Sequence, residues 1–120
     1  MKCPKCGYQV WGRNNEQNAL AAVWYADIAK QLAEDTPQGV KSHCKLHFGV
    51  PILRAEDESF RQKYDRIIKP LSYEDKLSLM EWFPVTSLMS TGQFSRYLKD
   101  MQHEYAKRGV VLQSINEEMA

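Results

Sequence analysis

The chain has 120 residues, which is enough for one modest hydrophobic core and too few for two. Its composition, 43% hydrophobic and 26% charged, is that of a folded globular protein, and a formal net charge of +1 neither requires nor excludes a polyanionic partner. No apolar run approaches the roughly 20 residues that span a bilayer, and the N-terminus lacks the apolar stretch of a secretory signal. We therefore expect a cytoplasmic protein without a membrane partner.

The chain begins with a short segment, residues 1 to 12, that we expect to form a knuckle or ribbon. A helix is then predicted from about Asn15 to Glu34, because apolar residues recur every four positions along it. Proline and glycine in "DTPQG" end this helix. Its apolar stripe, with Val23 beside it, consists of Leu20, Trp24, Ile28 and Leu32.

Two helices are predicted in the middle of the chain. The first runs from Val40 to about Phe48 and stops at Gly49 and Pro51, since glycine and proline both interrupt helices. The second runs from about Glu58 to Lys69, where Pro70 closes it. The residues of this second helix that we expect to face inward are Phe60, Tyr64, Ile67 and Ile68.

The C-terminal third predicts two more helices and a strand. Ser72 and Asp75 have the spacing of a capping box, which places a helix from Tyr73 to Trp82. Thr91 is the predicted N-cap of the last helix, and residues 110 to 112 are predicted to form a short strand. The residues of the last helix that we expect to face inward are Phe94, Tyr97, Leu98, Met101 and Tyr105.

Together these elements predict a mainly helical α+β fold with about five helices, a short N-terminal knuckle or ribbon and a short C-terminal strand. We expect one domain, residues 1–120, made of a knuckle at 1–12, a helical body at 13–112 and an acidic tail at 113–120.

Three cysteines are few and odd in number, which favours thiols or metal ligands over disulfides in a reducing compartment. "CPKCG" presents Cys3 and Cys6 as half of a zinc site, and "HCKLHFG" adds Cys44 and His47, three residues apart on a predicted helix. His43 is a spare ligand one position away. Four protein ligands leave no open position for water, so the predicted cofactor is a structural zinc. The alternative is that Cys44 is a buried thiol and His47 a core or capping histidine.

Basic residues collect in two segments that contain no acid, residues 1–13 and 40–54, which the predicted zinc would join. Aromatic rings among such bases are typical of single-strand binders, since phosphates take the charge and unpaired bases stack on the rings. The alternative is that the rings cover the knuckle and the charges are a solvated face. The residues predicted to contact DNA on this basis are Tyr8, Trp11, Arg13, Lys41, Lys45 and Arg54.

Three stretches of the sequence resemble a known family. "RNNEQN", residues 13–18, resembles the R-x-x-x-Q-N opening of the lambda-type NinB (Orf) family of phage recombination mediators. "TSLMSTGQFSRYLKDMQHEYAKRGV", residues 86–110, is similar to that family's C-terminal helix, and "CKLHFGVPILRAED" is similar to the prophage YbcN branch. The resemblance spans most of residues 13–112, and "MKCPKCGYQVWG" stands where the family has a longer β region.

This resemblance implies a homodimer that binds single-stranded and gapped DNA with little sequence preference. It also implies help in loading recombinase onto strands coated by single-strand-binding protein, and for the YbcN branch a disturbance of base stacking described as base flipping. Arg13 would then contact a phosphate, while Gln17 and Asn18 would either reach a base edge or only cap the first helix.

No glycine elbow around a serine and no Walker-type glycine loop occur, so we expect no enzymatic activity. The sequence predicts a phage or prophage protein that binds single-stranded or distorted DNA, unstacks or flips bases and acts as a recombination mediator. The alternative is a zinc-stapled adaptor that contacts the host single-strand-binding protein without binding DNA.

Overall fold

A computed structural model describes residues 15 to 112 of the chain, with side chains from Gln17 onward. The predicted knuckle, the predicted acidic tail and the residues Cys3, Cys6, Tyr8, Trp11 and Arg13 lie outside this range. None of the described helices is long and apolar enough to cross a membrane.

The described residues form five continuous helical rods, which confirms a mainly helical fold. Two of the rods contain π-helical turns, at Lys45–Gly49 between the second and third helix and at Tyr64–Ile68 after the fourth, and a 3-10 turn at Thr86–Leu88 precedes the last. The α-helices are α1 (Asn15–Leu32), α2 (Pro37–Cys44), α3 (Val50–Glu56), α4 (Glu58–Lys63), α5 (Tyr73–Leu79) and α6 (Thr91–Ala106).

The hydrophobic core is one cluster to which α1 and α6 contribute the largest share. These two helices run parallel, since Gln17 lies beside Thr91 at their starts and Gln31 bonds to Val111 at their ends. The Tyr25 and Tyr97 hydroxyls lie 2.8 Å apart across this interface. In the predicted stripe of α1, Trp24 and Ile28 are fully buried, whereas Val23 faces solvent. All five inward residues predicted for α6 are buried, so that prediction is confirmed.

Ser90, and not the predicted Thr91, is the N-cap of α6. Its hydroxyl accepts the Gln93 backbone N–H at 3.2 Å, and the Gln93 side chain accepts the Ser90 backbone N–H at 3.0 Å. This reciprocal pair is a complete capping box, which satisfies two backbone donors that the helix itself leaves without partners. Ser72 caps α5 as predicted, accepting the Asp75 backbone N–H at 3.1 Å.

The prediction that a helix stops at Gly49 and Pro51 is wrong. The Val50 backbone N–H bonds to the Lys45 carbonyl, five residues back, and Pro51 then falls in the first turn of α3. A proline is tolerated there because its missing N–H has no helical partner to lose. The π turn therefore lets the helix continue past Pro51 without a break.

The second π turn corrects the prediction that Ile67 faces inward. Lys69 N–H bonds to the Tyr64 carbonyl at 2.9 Å, so the last turn before Pro70 is wider than an α-helical turn. Residues Phe60, Tyr64 and Ile68 are buried, but Ile67 is 58% exposed.

The predicted strand at residues 110 to 112 is not formed. The Gln31 side chain of α1 accepts the Val111 N–H at 2.9 Å and donates to its carbonyl at 2.8 Å. A side-chain amide thus satisfies the backbone groups that a neighbouring strand would pair. Gly109, with a φ of 83°, lets the chain turn out of α6 just before this segment.

Candidate functional site

A groove of about 470 Å³ lies between α1, the first turns of α2 and the 3-10 turn before α6. Its polar lining residues come from three separate parts of the chain. Its apolar lining is formed by Ala21, Ala22, Tyr25, Pro37 and Phe94. The two alanines open the groove because they carry the smallest side chains on that side of α1. The polar lining residues are Asn18, Gln38, Lys41, Thr86 and Ser87.

The start of α2 is held in place by local capping. The Thr36 hydroxyl accepts the Gly39 backbone N–H at 3.0 Å, and Pro37 occupies the first turn, where its fixed φ suits a helix. A Cβ on Gly39 would lie 2.0 Å from the Asp35 carboxyl oxygen, so a larger residue here would have to displace the Asp35 side chain. These contacts fix the direction in which Gln38 and Lys41 leave the helix.

Lys41 gives this groove its charge. No carboxylate is among the described residues that line the groove, so an anion bound there would meet the Lys41 ammonium without a competing acid. Amide and hydroxyl groups surround that cation and supply both donors and acceptors. The groove is therefore suited to an anionic ligand that also carries hydrogen-bonding edges.

Lys45 was predicted to contact DNA, but it lies in the interior. It is 5% exposed, and its ammonium donates to the Met80 carbonyl at 2.5 Å. That carbonyl is at the C-terminal end of α5, where helices leave carbonyls unpaired and favour a cation. Burial, together with the nearby Lys41 charge, lowers the pKa of Lys45 to about 8.

Arg54 also has a partner that its own segment of sequence does not contain, because it forms an ion pair with Asp65. Its guanidinium bonds to the Asp65 carboxylate at 2.7 and 2.8 Å and lies 5.8 Å from the centre of the Tyr64 ring. Asp65 belongs to the π turn after α4, far from the acid-free segment that contains Arg54. A segment of sequence that contains no acid can therefore still lie beside acids on the folded surface.

Gln17 and Asn18 are neighbours in the first turn of α1, but their side chains lie in different environments. Gln17 is fully buried, and its amide nitrogen lies 3.5 Å from the Thr91 carbonyl, which ties α1 to the beginning of α6. Asn18 is exposed and lines the groove. Of this pair, Asn18 alone is placed where it can meet a ligand in the groove.

The structure brings together two of the three stretches that carry the family resemblance. Asn18 from the first stretch and Thr86 and Ser87 from the second line the same groove. Gln38 also lines it, and sequence reasoning missed Gln38 because "DTPQG" was interpreted only as a helix end. The nearest signal was the Thr-Pro pair, which marks a helix start as well as a break.

Two of the four predicted zinc ligands, Cys44 and His47, are described by the structure. Each of them contacts a different tyrosine. Cys44 is fully buried, its thiol donates to the Tyr105 hydroxyl at 4.0 Å, and burial raises its pKa to about 12. His47 is exposed, with Nε2 2.9 Å from the Tyr73 hydroxyl. Within residues 17 to 112, no group of three or more metal-ligating side chains is assembled. Cys44 would have to leave its buried contact with Tyr105 before it bound an ion together with His47.

A second groove, of about 430 Å³, is mostly apolar and lies between α4 with its π turn and the segment before α6. Ile67 and Leu88 line it and are 58% and 50% exposed. Exposed apolar side chains that line one groove together form the kind of surface that contacts another protein or a ligand.

Comparisons of the chain with protein-family models, with curated proteins and with solved structures find no match.

Proposed function

We propose that this protein binds single-stranded or distorted DNA through the groove between α1, α2 and the 3-10 turn. It would act in the cytoplasm as a phage or prophage recombination mediator of the NinB (Orf) type, unstacking bases as it binds and working as a homodimer. The observation that carries the proposal is the convergence of Asn18, Lys41 and Ser87 in one groove that no described carboxylate lines.

The chemistry of the groove matches that of an unpaired nucleotide. A phosphate takes the Lys41 charge and hydrogen bonds from the Thr86 and Ser87 hydroxyls, while the Asn18 and Gln38 amides pair with base edges. A volume of about 470 Å³ lies within the range of small-ligand sites. In a duplex the Watson–Crick edges of the bases are already paired with each other, so amides that bond to those edges favour single-stranded DNA.

The variant that tests this proposal most directly is Lys41→Glu, which reverses the charge of the groove. Lys30→Glu is the matched control, because it makes the same change in net charge on the exposed far end of α1. We expect Lys41→Glu to weaken binding of a labelled single-stranded oligonucleotide on all sequences alike and to lower the salt slope by about 1. Equal losses in both variants would mean that net charge alone, and not this groove, attracts the DNA.

The second candidate function is the adaptor that contacts single-strand-binding protein without DNA. The apolar groove lined by Ile67 and Leu88 favours it, since a partner would remove these side chains from water. Ile67→Asp should then abolish binding to purified single-strand-binding protein, while Val23→Asp, at another exposed apolar position, should leave it unchanged. This candidate fails if both variants bind the partner as the parent does.

A further inference from the structure

We propose that Trp82 is a stacking site for an unpaired base, beside the groove proposed to bind DNA. The inference rests on the proposed function, because it names the side chain that holds a base once the base has left its stack. Trp82 follows α5 by three residues and is 72% exposed. Of the tryptophan, tyrosine and phenylalanine side chains that the structure describes, it is the most exposed.

The aromatic rings of the groove itself are not open to a base. Tyr25 and Phe94 line the groove but are 7% and 2% exposed, and the Phe94 ring is stacked on Tyr97 with ring centroids 5.5 Å apart. Stacking of a base on an aromatic side chain requires a free ring face, and it contributes much of the affinity of proteins for single strands. A strand in the groove therefore needs a ring that lies outside the core.

Trp82 has such a free face. Among the described residues, none stacks on its ring, whereas its neighbours are packed: Phe83 is half-buried and Val85 is 1% exposed. Indole offers a large, flat apolar surface, and fixing it on binding costs little conformational entropy. The folded core of the described residues leaves this surface available to a ligand.

The segment that carries Trp82 is held beside the groove at both of its ends. At one end, the Met80 carbonyl accepts the Lys45 ammonium at 2.5 Å. Lys45 is one helical turn after Lys41, the cation that lines the groove. At the other end, Ser87 itself lines the groove. Trp82 therefore lies within a few residues of two points at which this segment meets the proposed DNA site.

The length of this segment suits a short single strand. Trp82 precedes Ser87 by five residues, so their Cα atoms are at most about 18 Å apart. Bases in a stacked strand rise by about 3.4 Å each, so a strand of about five nucleotides reaches from the groove to Trp82. Single-strand-binding domains commonly cover about 4 to 16 nucleotides, and this distance falls within that range.

The charges near Trp82 favour contact with a base over contact with a phosphate. Glu81, the residue before Trp82, lines a groove between α2 and α5 together with Asp35 and Glu74. These carboxylates repel phosphates, whereas Lys41 attracts them. We therefore expect the strand to keep its backbone near Lys41 and to reach Trp82 with a base.

The test measures binding of a fluorescently labelled, mixed-sequence single strand of about 12 nucleotides to the full chain by fluorescence anisotropy. Trp82→Leu keeps an apolar side chain but removes the ring, and we expect it to weaken binding about 10-fold. The salt slope should stay unchanged, because indole carries no charge. Trp82→Phe keeps a ring face and should bind within about 3-fold of the parent. Tyr73→Leu, which removes another exposed ring at the opposite end of α5, is the matched control and should bind as the parent does.

Binding by Trp82→Leu that equals that of the parent, while Lys41→Glu loses affinity, would overturn the inference and leave the DNA groove in place. Equal losses in Trp82→Leu and Trp82→Phe would also overturn it, since the ring face would then not matter. A parent chain that binds no single strand would overturn both the inference and the proposed function. Thermal unfolding of each variant establishes that the fold is retained.

Discussion

At the scale of single residues, Lys45 shows how folding changes the meaning of a charge. In the sequence Lys45 belongs to an acid-free basic segment. In the structure its ammonium caps the C-terminal end of α5 by donating to the Met80 carbonyl. Cys44 is a parallel case, because the sequence left open whether it is a metal ligand or a buried thiol, and the structure buries the thiol. Residue type alone does not determine burial, since burial depends on which distant elements pack against the helix.

The buried Lys45 predicts that stability depends on pH. Folding lowers the pKa of Lys45 from 10.5 to about 8, so between these values the unfolded chain binds more protons and stability rises with pH. Cys44 acts in the opposite direction above pH 9, because its pKa is raised from 9.0 to about 12 in the folded protein. We therefore expect the urea midpoint to rise between about pH 8 and pH 9, and to rise less in Lys45→Met. Identical pH dependence in the parent and in Lys45→Met would contradict the burial of this ammonium.

At the scale of elements, periodicity and capping signals predicted the positions of the helices well. They predicted the connections between the helices less well. The stripe of α6 and the Ser72 cap of α5 follow from local sequence, and both are confirmed. The π turns could not be predicted because they depend on the tertiary packing of the rods as well as on the prolines. The continuation past Gly49 is such a case, since Gly49 serves close packing there and does not end a helix.

Gly49 lies where the segment before the 3-10 turn approaches the π turn. A Cβ at this position would be 2.7 Å from the Val85 side chain, whereas a Cβ on Gly92, in the first turn of α6, would meet nothing within 4 Å. We expect Gly49→Ala to destabilise the protein by about 1–3 kcal/mol through overpacking. Gly92→Ala is the control and should stabilise it by about 0.5–1 kcal/mol. Urea unfolding measures both, and equal midpoints would show that the approach of Val85 is not tight.

At the scale of the whole molecule, the candidate site is formed by segments that are distant in sequence. Asn18 and Lys41 were predicted to contact DNA and do lie in one groove, but their partners Thr86 and Ser87 were known only as part of a stretch that resembles a family. Arg54 was predicted from the charge of its own segment and is paired with Asp65 from another. The sequence thus indicated the kinds of side chain in the candidate site, and the packing of α2 and the 3-10 turn against α1 determined which of them meet.

The central claim is that the groove between α1, α2 and the 3-10 turn binds unpaired DNA. Its most direct test is a titration of the purified full chain into single-stranded and duplex oligonucleotides that carry 2-aminopurine, at low and at moderate salt. We expect tighter binding to the single strand, an affinity that falls as salt is raised, and increased fluorescence as bases unstack. Absence of binding at low salt, or binding that does not respond to salt, would contradict the claim.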